Sequence, residues 1–334
     1  MKVMKAIVLH GEVPREAGKD EQDVLVQVEV VSQALSELGY DHVIVPLSMN
    51  LTEIIVRLQA IRPALVFNLV ESITGQGRLI YIAPAIMDFL KIPYTGSRTE
   101  AMFLTSNKLL AKKILQTTGI ATPPWLSLDE TCLDKGETGT GSLSPGPYII
   151  KSVWENASVG LDEDSVILAR NRDHLRHEMV SRLGNLGGDC FAEVFIEGRE
   201  FNISLLAGDN GPEVLPPAEI RFDEYPPDKN RVVGYRAKWD EDSFEYHHTP
   251  RRFDFPKKDE PLLRHLVELA MRCWDLFGLR GYARVDFRVN RAGIPWVLEI
   301  NANPCLSPDS GFVAAAAQSG LGFNRIIERI IKNL

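Results

Sequence analysis

The segment from Tyr282 to Pro304 constrains the fold of this chain more than any other, because it reads as two β-strands joined by a turn at Gly293. Side chains on a β-strand point alternately to its two faces. The positions predicted to face the core are Ala283, Val285, Phe287, Val289, Leu298 and Ile300. The opposite face then carries Arg284, Asp286, Arg288, Val297, Glu299 and Asn301.

The polar face of this ribbon brings together two carboxylates, an amide and a guanidinium. Hard oxygen ligands of this kind suit Mg²⁺, which takes one or two carboxylates and completes its shell with water and phosphate oxygens. We therefore expect the chain to handle a nucleoside triphosphate. The alternative is a cross-strand ladder of ion pairs, in which Asp286 and Glu299 are neutralised by Arg284 and Arg288.

Length, charge and cysteine content narrow the class of protein. The 334 residues are enough for about two or three domains. A net charge of −8 argues against nonspecific nucleic-acid binding, and no apolar run is long enough to span a membrane. The first residues read as a β-strand, and four scattered cysteines form no CxxC pair, so we expect a cytoplasmic protein with reduced thiols and no zinc site. Cys305, beside the predicted site, is expected to be a passive small residue and not a nucleophile.

The order of elements predicts an α/β fold. Strands over 5–10, 43–46 and 64–70 alternate with helices over 24–39 and 51–61, which indicates a parallel sheet, and Gly39 is the expected helix cap. The first turn lacks G-x-G-x-x-G, so a dinucleotide site is not supported. Further helices are expected over 106–118, 173–183, 260–277 and from 311 onward, strands over 148–153, 191–196 and 200–207, an exposed loop over 134–147 and a long ordered loop over 221–250.

Seven spaced segments, taken together, resemble the D-alanine–D-alanine ligase family of ATP-grasp enzymes. The segments are 92–97, Asn107-Lys108 with Lys112-Lys113, 150–160, 193–201, 235–238, 284–286 and 299–304. The resemblance covers nearly the whole chain from residue 92 onward and, more loosely, the first 91 residues. It implies an ATP-grasp fold with a Rossmann-like parallel-sheet domain over 1–98, a central α+β subdomain over 99–192, and a C-terminal subdomain over 193–334 that carries the Mg²⁺ site.

The resemblance also implies an activity. Enzymes of this kind are ADP-forming carboxylate–amine ligases: a carboxylate takes the γ-phosphoryl group of ATP, and an amine then displaces phosphate from the acyl phosphate. The implied cofactors are ATP and Mg²⁺, with Mn²⁺ as an alternative ion. The implied partners are a small-molecule carboxylate and amine and a second copy of the chain in a homodimer. Phosphoryl transfer depends on positioning and charge neutralisation, which the residue types here supply.

The nucleotide contacts implied by the resemblance lie on several segments. Lys108 and Lys151 would bind the nucleotide, and a solvated surface charge is the alternative for each. The segment Glu193, Val194, Phe195 and Ile196 would contact adenine, although Phe195 could equally be core. Glu200 would hold the ribose hydroxyls, with an ion pair to Arg199 as its alternative.

The remaining implied roles concern the reacting groups. The small-residue loop 156–160, with Ser158 counted among the catalytic residues, would close on the phosphates, and an ordinary turn is its alternative. Lys238 would reach the transferring phosphate and Arg284 would stabilise the oxyanion of the tetrahedral intermediate. The implied metal ligands are Asp286, Glu299 and Asn301.

The chain departs from the family pattern where the amino acid would bind. Ala157 replaces a serine, Trp239 a tyrosine, Cys305 a glycine, and Val70-Glu71 a His-Gly pair. The residues predicted to face the substrate are Glu71, Ala157, Trp239, Cys305 and Ser310. We therefore expect ligation of a carboxylate and amine other than D-alanine. The alternatives are a true D-alanine–D-alanine ligase and a nucleotide-binding protein without ligase activity.

Overall fold

A computed structural model describes residues 4–128, 145–155 and 158–334 of the chain, which form three β-sheets with helices packed on them. The strands are β1 Met4–Gly11, β2 Tyr40–Leu47, β3 Leu65–Asn68, β4 Trp125–Ser127, β5 Gly146–Ser152, β6 Val166–Ala169, β7 Cys190–Val194, β8 Gly198–Gly208, β9 Gly211–Val214, β10 Ala218–Ile220, β11 Arg251–Arg252, β12 Tyr282–Asn290 and β13 Pro295–Asn301.

Helices connect and cover these sheets. They are α1 Lys19–Glu37, α2 Leu51–Ile61, α3 Ile82–Leu90, α4 Thr99–Ser106, α5 Lys108–Thr117, α6 Arg172–Arg182, α7 Tyr235–Trp239, α8 Phe244–His247, α9 Glu260–Phe277, α10 Gly311–Gln318 and α11 Phe323–Lys332. No helix among the described residues is long and apolar enough to cross a membrane.

The N-terminal sheet is parallel, as the alternation of strands and helices predicts, with the strand order β2-β1-β3. Helix α1 starts at Lys19 instead of residue 24, because its first turn is polar and carries Asp20 and Glu21. Gly39 follows this helix with a φ of +85°, as expected of a helix cap. Strand β3 ends at Asn68, short of the predicted residue 70.

The central sheet is antiparallel, with the order β4-β7-β5-β6. The helix predicted over 106–118 is present as α5, which begins at Lys108 after its N-cap Asn107. A separate helix, α4, ends at Ser106. The loop predicted over 134–147 lies mostly outside the described residues. The three-part domain division stays a prediction, and strand β7 runs across its boundary at residue 193.

The C-terminal sheet holds the ribbon, in the order β11-β10-β8-β12-β13 with β9 beside β8. Cross-strand pairs put Arg284 opposite Asn301 and Asp286 opposite Glu299. The apolar side chains of β12 are almost fully buried and pack with Leu266, Ala270 and other residues of helix α9. The predicted polar face of the ribbon is therefore confirmed for β12.

The face predicted for the start of β13 is wrong. The register shifts after Asp286, so that Phe287 pairs with Val297 and Leu298 becomes the extra residue of a β-bulge. Val297 is therefore buried in the core, while Leu298 lines a cleft beside Glu299. One extra residue in a strand exchanges the faces of everything before it, and simple alternation cannot anticipate this.

The long segment predicted as an ordered loop contains the short helices α7 and α8, and the C-terminal helix is divided into α10 and α11 around Gly320 and Gly322. Short 3₁₀ turns are present at Gly77–Leu79, Glu163–Ser165, Leu183–Leu186 and Lys257–Asp259. The ends of these elements bring the three sheets to one cleft.

Candidate active site

One cleft of about 440 Å³ lies where the three sheets meet, a size that suits a small-molecule site. The structure brings into it every predicted site residue except Ala157, which lies outside the described residues. Those lining it are Glu71, Lys108, Lys151, Ser158, Glu193, Val194, Phe195, Ile196, Glu200, Lys238, Trp239, Arg284, Asp286, Glu299, Asn301, Cys305 and Ser310.

At the floor of the cleft, the ribbon presents an anionic pair. Asp286 is 5% exposed and accepts hydrogen bonds from Asn202 Nδ2 at 2.7 Å and Asn301 Nδ2 at 3.1 Å. Burial opposes the charge of Glu299, but Lys108, Lys238, Lys151 and Arg284 outweigh burial and lower its pKa to about 2. Two carboxylates and an amide on adjacent strands form a hard-oxygen donor set that fits Mg²⁺.

Half of the alternative ion-pair ladder is also present. Arg284 forms a bidentate pair with Asp286, with Nε to Oδ1 and Nη2 to Oδ2 both at 2.8 Å. Arg288 pairs with Glu200 at 2.9 Å and not with either acid of the ribbon. The two arginines therefore form direct ion pairs with different carboxylates, and neither pairs directly with Glu299 among the described residues.

Lysines from three separate elements surround Glu299. Lys108, at the start of α5, is 7% exposed and donates from Nζ to the Glu155 carbonyl at 2.6 Å. Burial lowers the pKa of Lys108 and also that of Lys238 on α7. Lys151 on β5 pairs with Glu193 Oε1 at 2.7 Å. The surface-charge alternative is therefore wrong for Lys108 and Lys151.

Sequence reasoning assigned no site role to a further lysine, which is almost fully buried. Lys112 is 1% exposed and pairs with Glu193 Oε2 at 2.5 Å, and its Nζ also donates to the Thr122 hydroxyl at 2.8 Å. Glu193 thus lies between two lysines, which lower its pKa although burial opposes this. The available signal was spacing: Lys112 lies one helical turn after Lys108, on the same face.

The segment predicted to meet adenine connects the central and C-terminal sheets. Strand β7 ends at Val194, so Phe195 and Ile196 belong to the connection to β8. The N–H groups of Val194 and Phe195 donate to the carbonyls of Pro124 and Pro147. Among the hydrogen bonds of the described residues, the Ile196 N–H has no acceptor, so this residue can offer its backbone to a base. Phe195 is half-buried at the cleft with the Arg288 guanidinium over its ring, and is not core.

Glu200 faces the cleft, as its predicted role requires. The alternative prediction, an ion pair between Glu200 and Arg199, is wrong. Arg199 points to the other side of β8, where it pairs with Glu219 and Asp259, both at 2.8 Å. Glu200 pairs with Arg288 instead, and burial raises its pKa. Strand alternation separates Arg199 from Glu200 and puts Asn202 beside the cleft, where sequence reasoning did not assign it a role.

Two loops meet over the cleft. The Ser158 hydroxyl donates to the Val233 carbonyl at 2.9 Å, and the Tyr235 N–H donates to the Leu161 carbonyl at 2.7 Å. The Tyr235 hydroxyl reaches Asp20 Oδ1 of helix α1 at 2.9 Å. Both loops are therefore joined to each other and, through Tyr235, to the N-terminal part.

The far end of the cleft is acidic. Asp23 and Glu71 lie there with Cys305, whose Sγ–H donates to Asp23 Oδ2 at 3.1 Å. Burial raises the pKa of the Cys305 thiol well above its usual range, so it stays protonated and fits the predicted passive role. Ser310 caps helix α10, its hydroxyl accepting the Val313 N–H. Arg251 and Asp309 also line this end and were not predicted.

Comparison with known proteins identifies this arrangement. The family model described as the D-ala D-ala ligase C-terminus matches residues 114–332, roughly two-thirds of the chain. This chain belongs to the D-Ala–D-Ala ligase family. The predicted family resemblance is therefore confirmed, and with it the assignment as an ATP-grasp, ADP-forming C–N ligase that uses ATP and Mg²⁺.

Full-length relatives of this family member are similarly distant from it. The D-alanine–D-alanine ligase of Aquifex aeolicus is 29% identical over 98% of this chain and 100% of its own length. The uncharacterized protein y4sG of Sinorhizobium fredii is also 29% identical, over 90% of this chain and 85% of its own length.

Solved structures share the fold. A Bacillus anthracis D-alanine–D-alanine ligase, complexed with ATP, matches with a TM-score of 0.70 and 21% identity over 99% of this chain and 97% of its own. The D-alanyl-alanine synthetase A of Vibrio cholerae matches with a TM-score of 0.72 and 16% identity over 99% and 98% of the two chains. The predicted ATP-grasp fold with an N-terminal parallel sheet is thereby confirmed.

Proposed function

We propose that this enzyme joins two molecules of D-alanine, with conversion of ATP to ADP and phosphate. The observation that carries the proposal is the convergence of Lys108, Lys151, Lys238 and Arg284 on the ribbon acid Glu299. Such a cationic, largely buried pocket stabilises the charge that develops in phosphoryl transfer and acyl transfer. The names of the relatives point to D-alanine more than to the other substrate expected from the sequence.

The proposed chemistry is the one that the family resemblance implies, and the residues around the cleft would take part in it. A carboxylate oxygen of the first amino acid attacks the γ-phosphorus of ATP, and the bond to the ADP oxygen breaks. The nitrogen of the second amino acid then attacks the acyl carbon, and the carbon–oxygen bond to phosphate breaks. Lys238 would hold the transferring phosphoryl group and Arg284 the oxyanion. Asp286, Glu299 and Asn301 would hold Mg²⁺, which neutralises phosphate charge when bound.

Specific residues favour a second candidate, the same reaction on a different amino acid. Trp239 and Cys305 line the substrate end of the cleft. Trp239 is bulkier than the tyrosine of the family pattern and lacks its hydroxyl group, and Cys305 is bulkier than the glycine of that pattern. Glu71 adds a carboxylate at the same end. A site with changed hydrogen-bonding groups changes selectivity between substrates that differ by one polar group.

The two candidates are separated by a substrate screen. ADP release would be measured with ATP and Mg²⁺ plus D-alanine, L-alanine or pooled amino acids, and the condensed product identified by mass spectrometry. Glu299→Gln supplies the background rate. Formation of D-alanyl-D-alanine supports the first candidate, and turnover with a different pair but not with D-alanine supports the second. If none of these substrates causes ADP release, both candidates are contradicted, and a nucleotide-binding protein without ligase activity is favoured.

A homodimer and a cytoplasmic location remain predictions of the sequence. Light scattering after size-exclusion chromatography would test the first, since a monomeric mass contradicts a homodimer. Cell fractionation would test the second.

A further inference from the structure

A carboxylate with spare hydrogen-bonding capacity lies at the substrate end of the cleft. Glu71 follows strand β3 and lines the cleft together with Asp23 and Arg284. Its Oε1 accepts a hydrogen bond from Gln27 Nε2 at 2.8 Å. In the described parts of the chain, Oε2 of Glu71 receives no hydrogen bond, although an ionised carboxylate can accept several. This oxygen is therefore available to a ligand in the cleft.

Gln27 fixes the position of Glu71. This glutamine is 1% exposed, and its Oε1 accepts the Leu306 backbone N–H at 2.9 Å. Because a backbone N–H can only donate, the amide oxygen must face Leu306 and the amide nitrogen must face the acids. Gln27 Nε2 donates to Asp23 Oδ2 at 3.1 Å as well as to Glu71. A single buried amide thus holds two carboxylates side by side.

The two acids of this pair differ in what they can still bind. Asp23 Oδ1 accepts the Ser307 hydroxyl at 2.6 Å, and Oδ2 accepts both Gln27 and the Cys305 thiol. Protein donors therefore occupy both oxygens of Asp23. Glu71 has one protein donor, on one oxygen. Of the two, Glu71 is the acid placed to exchange a proton with a substrate.

Titratable groups face Glu71 from helix α1, from strand β12 and from the loop that carries Cys305. Asp20 and Asp23 face it from helix α1, Arg284 faces it from β12, and the Tyr282 hydroxyl and Cys305 thiol lie nearby as neutral groups. Burial and the two aspartates raise the pKa of Glu71 to about 7, although the Gln27 hydrogen bond and Arg284 oppose the rise. A carboxyl group that titrates near neutral pH suits proton transfer from an amine.

We propose that Glu71 is the general base that removes a proton from the amine substrate before it attacks the acyl phosphate. This role rests on the proposed ligase function. Amino groups are largely protonated at neutral pH, and an ammonium nitrogen has no lone pair to form the new bond. One proton passes from nitrogen to Glu71 Oε2, and the nitrogen lone pair then forms the C–N bond. Phosphate leaves with the electrons of the C–O bond and takes the second proton of the nitrogen. Glu71 then returns the proton to solvent.

The test compares two acceptors in Glu71→Gln, with whichever amino acid pair gives ADP release in the wild-type enzyme. Hydroxylamine is largely unprotonated at neutral pH, so it traps an acyl phosphate without needing a base. We expect amide formation to fall about 10²–10³-fold while hydroxamate formation stays within a few-fold of wild type. The acid limb of the wild-type kcat profile, near pH 7, should vanish in the variant.

Two further variants guard against a merely structural effect. Glu71→Asp keeps a base at a shorter reach, so it should recover part of the rate and retain the acid limb. Asp23→Asn removes a negative charge beside Glu71, so the acid limb should move to lower pH. Circular dichroism and thermal unfolding would establish that each variant is folded.

The outcomes separate this role from the proposed function. If Glu71→Gln keeps the wild-type rate of amide formation and the acid limb, the role of Glu71 is overturned and the ligase function stands. Equal loss of amide and hydroxamate formation also overturns it, because Glu71 would then act before the amine does. If no amino acid causes the wild-type enzyme to release ADP, both the role of Glu71 and the proposed function are overturned.

Discussion

At the scale of single residues, the cleft is organised by charged groups that the fold has removed from water. Lys108, Lys112 and Glu193 are each less than a tenth exposed, which is uncommon for such side chains unless they are paired. Their burial is tolerated because each finds a partner of opposite charge or a carbonyl oxygen. This end of the cleft is therefore preorganised by ion pairs.

Arg284→Ala should reduce kcat about 10²–10³-fold, because the variant would lose the donor proposed to stabilise the developing oxyanion. Steady-state ADP release would measure this effect. The control is Arg291→Ala at the exposed end of the same ribbon, where Arg291 pairs with Glu197 at the surface. Arg291→Ala should stay within about twofold of wild type. A similar loss in both variants would contradict a role for Arg284 in the chemistry.

Lys112→Met should destabilise the protein by about 3–5 kcal/mol, because it leaves Glu193 buried with one of its two cations gone. Urea unfolding followed by circular dichroism would give the free energy of unfolding. Lys113→Met is the matched control, since this neighbour is exposed, and it should change stability by less than about 0.5 kcal/mol. Equal stability of the two variants would show that the Lys112–Glu193 pair contributes little.

At the scale of elements, the ends of helices and strands decide which side chains reach the cleft. The break between α4 and α5 lets the Lys108 N–H donate to the Val153 carbonyl at 3.1 Å and starts a new helix at that lysine. The β-bulge at Leu298 turns an apolar side chain into the cleft next to Glu299. Both features interrupt a regular period, and both lie at the site.

Asn107→Ala should cost about 1 kcal/mol of stability and raise the KM for ATP, because Asn107 Oδ1 caps α5 by accepting the Leu110 N–H at 3.0 Å. Asn171→Ala is the control: Asn171 caps α6 by accepting the His174 N–H at 2.9 Å, away from the described cleft lining. It should lose similar stability without a change in KM. If the KM for ATP is the same in both variants, the cap does not position Lys108.

At the scale of the whole molecule, the site exists only because three sheets and two loops close on one another. The Glu155 carboxylate of the central part accepts the Gly77 N–H of the N-terminal part at 3.1 Å, and Asn303 Nδ2 of the C-terminal part donates to the Val70 carbonyl at 3.2 Å. These contacts bring the two ends of the cleft together. In the proposed reaction, such closure would exclude water from the acyl phosphate, which water would hydrolyse.

Tyr235→Phe should uncouple ATP consumption from product formation, because it removes the hydroxyl that joins the long loop to Asp20 on helix α1. A less firmly closed cleft admits water, so we expect the ratio of ADP to ligated product to rise severalfold above wild type. Paired measurements of ADP and product would give this ratio. Asp20→Asn keeps an acceptor oxygen and should be affected less. An unchanged ratio in Tyr235→Phe would mean that this contact does not hold the long loop over the cleft.

The sequence alone determined the features that repeat along the chain. The two-residue period of β12 predicted which face carries Arg284 and Asp286, and the alternation of strands and helices predicted the parallel sheet. Such patterns are local, because each residue's direction is set by the backbone of its own element. Motif spacing added the lysines of the cleft through the family resemblance.

Only the tertiary structure decided which distant groups meet. Gln27 contacts Glu71, 44 residues away in the sequence, and Leu306, 279 residues away. Lys112 on helix α5 pairs with Glu193 on strand β7. No period in the sequence encodes these contacts, since they depend on how sheets pack and where strands bulge. The end of the cleft around Glu71 is built from such contacts, whereas the ribbon is built from one continuous segment. That is why the sequence predicted the polar face of the ribbon and missed the hydrogen bonds by which Gln27 holds Asp23 and Glu71.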